Sequence, residues 1–214
     1  MIKTKDLFNP SDELVKILFD ECEYPWEILP KIKDFILDVI RAKPAGYTLL
    51  KENVLVGNDV DIAPTATIIG PAIIGNHVQL RPGAFIRENV ILCDDVLLGN
   101  SCEAKNCIML NHASAPHFNY VGDSILGEYA HMGAGSICSN LKADNSSIKI
   151  DGIDTHLKKI GAFISNHGEI GCNAVLNPGS IIGENSNVYP LSNFRGILKP
   201  NCIYKSKDNI VNKR

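Results

Sequence analysis

The chain has 214 residues with 21 basic and 24 acidic side chains, a net charge of −3, 45% hydrophobic and 21% charged residues. That is the size of one domain with a modest appendage; the charge lacks the basic footprint of a nucleic-acid binder, and no apolar run approaches the eighteen or so residues of a membrane helix. The opening MIKTKDLFNPSDEL mixes charged and apolar residues where a secretory signal needs a continuous apolar stretch, so the cytoplasm is the expected compartment. Seven scattered cysteines without a C-x-x-C pair fit reduced thiols, and a small molecule is the expected partner.

Residues 1–50 read as a helical N-terminal cap. Ser11, with Asp12 and Glu13 behind it, is a helix start, and Ile32, Phe35, Ile36, Val39 and Ile40 recur at helical spacing up to Lys43-Pro44. Two short helices are predicted, with Trp26 as a packing anchor between them. The segment is expected to close the open end of the structure that follows, whose strand edge would otherwise invite aggregation.

From Val56 the chain changes rule. Every sixth residue is apolar: Val56, Ile62, Ile68, Ile74, Leu80, Ile86, Leu92, Leu98, Ala104 and Leu110. At a 45% apolar background, ten hits in a row have a chance of roughly three in ten thousand. A second series four residues on (Val60, Ala66, Ala72, Val78, Ala84) is mostly small, as residues inside a tight corner must be. Large aliphatic followed by small is the hexapeptide pattern, which implies an all-β fold, a left-handed parallel β-helix over residues 51–205 with a tail at 206–214. The pattern returns at Leu126 and Met132 and again from Ile164 to Val188. The matching units predict between five and six triangular coils, about 27 Å tall. Two interruptions, near 115–125 and 138–163, are expected as loops, and the second reads as a polar excursion that contacts substrate.

The residues able to do chemistry are Arg81 in RPGA, Glu103 and Lys105 in EAK, the run from His117 through Tyr120 to Asp123, and Gly133-Ala134-Gly135 ahead of Asn140. In this hexapeptide setting RPGA, EAK, H-x-x-Y-x-G-D and G-A-G resemble the acetyltransferase half of the bifunctional sugar-1-phosphate nucleotidylyltransferase/glucosamine-1-phosphate N-acetyltransferases, a hexapeptide-repeat family. The resemblance covers about residues 55–200, and Asn140-Leu141 with the segment 160–164 are similar to the archaeal-type members. No G-x-G-T-R nucleotide loop precedes the coils, so nucleotidyl transfer is not expected.

That resemblance implies transfer of acetyl from acetyl-CoA to the amine of a hexosamine 1-phosphate by direct attack, in a homotrimer, without a required metal, nucleic acid or membrane. It makes His117 the base, a role that suits imidazole near neutral pH. It gives the sugar phosphate to Arg81, Glu103, Lys105, Tyr120, Asn140 and Lys149, and the acetyl-CoA side to His131, Ala134, Gly171 and Cys172, the N–H of Ala134 facing the thioester oxygen. His131 stands where the bacterial enzymes have asparagine, Leu141 replaces their tyrosine, and Ser146 occupies a lysine position.

Two other readings compete. A coil of this kind can lose catalysis and serve as a trimeric nucleotide-sugar-binding or scaffold protein. A metal site like that of the γ-class carbonic anhydrases would need histidines stacked at one facet position. His112 and His117 give H-x4-H, but the six-residue count puts His77 and His112 at different positions, which argues against it.

Overall fold

The computed structural model describes residues 2–213. Three sheets run along the molecule as the faces of a prism, with nine, nine and seven strands. The first face runs from Val54–Val56 to Ile197–Leu198, the second from Asp61–Ile62 to Cys202–Ser206 and the third from Thr67–Ile69 to Asn193–Phe194. The rungs pair in parallel, as in Val54 with Ala72 and Leu80 with Leu98, so the chain visits the faces in turn. This is a parallel β-helix.

Its interior is three columns of stacked side chains. Ile74, Leu92, Met109, Leu126, Ile164 and Ile182 form the first. Leu80, Leu98, Ala115, Met132, Ile170 and Val188 belong to the second, and Ile86, Ala104, Val121, Cys138 and Leu176 to the third, all in one buried cluster. Corner residues such as Asp59, His77, Asp95, His112, Tyr129, His167 and Asn185 adopt left-handed φ of 52° to 61°. Asn, Asp and His tolerate that region better than most residues. An amide ladder ties this corner: Asn76 N–H donates to Asp94 Oδ1 at 2.7 Å and Asp94 N–H to Asn111 Oδ1 at 3.0 Å.

That ladder also exposes a change of period. The Asn76–Asp94 step spans 18 residues and the Asp94–Asn111 step only 17. The residue lost between Ala104 and Met109 shifts the phase, so Met109 faces the core and Leu110 joins the outer apolar cluster. A second 17-residue step follows, Met109 to Leu126. The expected interruption at 115–125 is therefore regular coil: Ala115 pairs with Leu98 and Val121 with Ala104. Those rungs, and late ones at Phe194, Leu198 and Tyr204, were not counted by a strict period of six. The structure has seven full coils and the start of an eighth, about 34 Å tall.

The second excursion is present. His131 and Glu169, adjacent rungs, stand 38 residues apart because residues 139–161 leave the coil. This loop carries an antiparallel hairpin of Lys149–Ile150 and Ile153–Asp154.

The helices are α1 (Thr4–Leu7), α2 (Glu13–Asp20) and α3 (Ile32–Ala42). The N-cap of α2 is Asp12, whose side chain accepts the Leu14 N–H at 2.8 Å, rather than Ser11. Ser11 Oγ instead donates to Glu128 Oε1 at 2.6 Å, pinning the segment to a corner. The helices do not close the end of the coil. They lie along the outside of the first face, where Leu18, Phe19, Ile32, Ile36 and Trp26 pack with Leu55, Ile73, Ile91, Ile108, Ile125, Phe163 and Ile181. Outward rungs this apolar need a cover on the side of the prism, and the amphipathic helices supply it. The coil ends are guarded differently: Thr48–Lys51 adds an antiparallel strand to the first face, and Asn209–Asn212, in the expected tail, adds one to the second.

Candidate active site

One corner column between the second and third faces collects residues singled out in the sequence. The strand Ser114–His117 ends at His117, in register with Asn100. The carbonyl of His117 accepts the Gly135 N–H at 2.9 Å and that of Ala134 accepts the Asn173 N–H at 2.8 Å. His117, Ala134 and Cys172 thus stand on successive coils. Asn119, almost fully buried, holds His117 by accepting its N–H at 3.0 Å, and its Nδ2 donates to the Gly133 carbonyl at 2.8 Å. The His117 side chain itself is exposed. It lines a cleft of about 500 Å³ with Arg81, Pro82, Leu97, Asn100 and Pro116. Arg81 Nη2 donates to Gln79 Oε1 at 2.6 Å, which orients the guanidinium.

The flank of this column is bare. A Cβ on Gly133 would lie 2.7 Å from the Cys172 N, and one on Gly171 would lie 2.3 Å from the Pro190 N. Glycine is required there for the coils to close on one another. Cys172 is exposed, whereas the other six cysteines are buried.

A second network lies on the third face and centres on Asp123. Its carboxylate accepts Asn140 Nδ2 at 2.5 Å and Asn106 Nδ2 at 2.9 Å, and pairs with Lys105 Nζ at 3.7 Å. Asn140 also donates to Tyr120 Oη at 3.1 Å. Burial raises the Tyr120 hydroxyl above its usual pKa, and the Asp123 charge adds to the effect. The Asn140 carbonyl accepts the Ile160 N–H at 3.0 Å, so one residue serves this network and closes the neck of the excursion. Glu103 is engaged by Arg87 Nη1 at 2.9 Å.

The structure thus brings Arg81, His117 and Ala134 to one corner, and Lys105, Tyr120 and Asn140 to the adjacent face. Lys149 joins neither; it is exposed on the hairpin, between Ile148 and Ile150, which are buried against the helices. On the second face His131 Nδ1 lies 2.9 Å from Glu169 Oε2. The H-x-x-Y-x-G-D motif contains Asp123 without marking its role, and no motif points to Arg87, Asn119 or Glu169. Their partners lie at least a coil away, except for Asn119 and His117, two residues apart.

The six-residue count misplaces His112. With the 17-residue step, His77 and His112 share one corner column, on either side of Asp95, whose carboxylate lies 3.6 Å from His77 Nδ1 and 3.8 Å from His112 Nδ1. Even so, among the described residues no three His, Cys, Asp or Glu side chains are grouped to hold a metal ion.

No protein-family model matches the chain. A bifunctional sugar-1-phosphate nucleotidylyltransferase/acetyltransferase from Sulfurisphaera tokodaii is 30% identical over 174 residues, covering 78% of this chain and 43% of that protein. The chain is its homologue. A bifunctional protein GlmU from Methanococcus vannielii is 31% identical over 198 residues, covering 89% of this chain and 48% of its own. The chain therefore spans about half the length of these curated relatives. Among solved structures, a hexapeptide transferase family protein from Anaplasma phagocytophilum aligns over 77% of this chain and 86% of its own, at 14% identity and a TM-score of 0.49. Among the described residues no helix is long and apolar enough to cross a membrane.

Proposed function

We propose that this chain is an acetyl-CoA-dependent N-acetyltransferase acting on the amine of a hexosamine 1-phosphate. The observation that carries the reading is the corner column, which stacks the His117 backbone one coil from Ala134 and puts the imidazole in a cleft with Arg81. The name of the first relative, a sugar-1-phosphate nucleotidylyltransferase/acetyltransferase, supports the substrate class.

In this reading the thioester lies along the bare flank beside Gly133 and Gly171, with its carbonyl on the Ala134 N–H. The amine attacks the thioester carbon and His117 accepts the proton it sheds. The tetrahedral oxyanion is held by a preorganised backbone donor. The C–S bond then breaks, and the departing thiolate takes the proton back from His117. Arg81 and Lys105 serve the phosphate, one as a fork and the other as a point charge, while Tyr120 and Asn140 bind the sugar. The two clusters occupy adjacent faces of one prism. Three prisms packed side by side would set the third face of one against the second face of the next, and we assign the complete site to that cleft in a homotrimer.

The test is incubation with acetyl-CoA and a panel of hexosamine 1-phosphates, following free thiol. Turnover that survives His117→Ala rejects the assigned base. Sugar-phosphate binding with no turnover on any amine favours a binding or scaffold protein.

A further inference from the structure

His131 is oriented as His117 is not. It leaves the strand His131–Met132 on the outer side of the second face, in register with Glu169, and its Nδ1 meets Glu169 Oε2 at 2.9 Å. The carboxylate can only accept, so Nδ1 carries the hydrogen and Nε2 is the ring nitrogen left to face outward. Gly133, two residues on and on the same side of the strand, is the bare flank beside Ala134. Around the ring, the neighbouring strand presents Ser114, the rung beyond Glu169 presents Asn187, and at the preceding corner Tyr129 stacks between His112 at 4.5 Å and His167 at 5.1 Å.

We propose that His131, held by Glu169, is a second oxyanion donor of the acyl transfer: its imidazolium Nε2–H hydrogen-bonds the thioester oxygen beside the Ala134 N–H. The inference rests on the acetyltransferase reading. As the amine nitrogen bonds to the carbonyl carbon, the π pair moves onto oxygen, and that oxygen accepts from Nε2–H, whose proton stays on the ring. The amine proton goes to His117 and returns to the thiolate when the C–S bond breaks. Glu169 is a positioning residue. Because Nδ1 is committed to the carboxylate, Nε2 donates only while the ring is charged.

The experiment compares His131→Ala, His131→Gln and Glu169→Gln in the full chain. Loss of one oxyanion donor lowers kcat by about 10²–10³-fold, which is the result expected for His131→Ala. His131→Gln keeps an N–H donor, so it should recover most of that loss. Glu169→Gln removes the carboxylate that orients the ring and should lower kcat while KM for acetyl-CoA holds. A His131→Gln enzyme as slow as His131→Ala, or a Glu169→Gln enzyme with unchanged kcat, overturns the proposal. Nitrogen-15 NMR of the histidines reads the pair without turnover: an Nδ1 proton held in the hydrogen bond to Glu169 is expected, and a neutral ring protonated at Nε2 overturns it. Wild-type protein that acetylates no amine while showing the expected NMR signature refutes the functional reading and leaves the dyad standing.

Discussion

The carbonyl of His117 and the N–H of Gly135 are joined at 2.9 Å, which fixes the proposed base one coil from the proposed oxyanion donor Ala134. Neither position depends on the loop excursion. His117→Ala should leave stability unchanged, because the side chain is exposed, and lower kcat by about 10²–10⁴-fold, measured by thiol release.

Asn119 makes this placement possible and is almost fully buried. Asn119→Ala would take one of two donors from the Gly133 carbonyl, which keeps the Ser136 N–H, and release the His117 N–H. The expected cost is about 1–3 kcal/mol in urea denaturation, with a fall in kcat larger than any change in KM.

Asp123 binds the third-face network from a nearly inaccessible position. Asp123→Ala leaves Lys105 without its counter-charge and takes one of two acceptors from the Asn140 amide. About 3 kcal/mol of stability should be lost, and KM for the sugar phosphate should rise while KM for acetyl-CoA holds. Asp123→Asn keeps acceptors in place and should fall between the two.

Fully buried Ile36 anchors α3 against the first face. Ile36→Ala should cost about 2–5 kcal/mol. Removing residues 1–45 bares the outward rungs Ile73, Ile91, Ile108 and Phe163, and aggregation detected by light scattering is expected.

Alkaline pH should destabilise the fold. Burial pushes the Cys138 thiol up to about 12 and raises Cys93, Cys107 and Tyr47 as well. An unfolded thiol ionises near ~8.5. Above that pH the unfolded chain has released protons that the folded chain keeps, so stability is full below about pH 8.5 and is lost as pH climbs toward the folded values. The urea midpoint should fall between pH 8 and 10.5, less steeply in Cys138→Ala. Over the same range Cys172, the one exposed cysteine, should be alkylated first.

The coil itself was readable because its code is local. A side chain that recurs every six residues meets the next corner whatever the rest of the chain does, so Val56 to Ala104 predict three faces and their inward columns. What misled was also local. One residue deleted between Ala104 and Met109 turns Leu110 outward and makes regular strands at 115–125 look like an interruption.

The sequence alone determined the hexapeptide coil, the long excursion after Cys138, and the candidates His117, Arg81, Lys105 and Asn140, since repeat period and motif spacing are properties of neighbouring residues. Tertiary structure alone decided that the helices cover the first face instead of an end. It also decided that Asp123 gathers Lys105 and Asn140, and that Glu169 reaches His131 across an excursion that sets them 38 residues apart. Each of these depends on which rungs lie side by side, a distance fixed by coil stacking through space and by the length of every coil between.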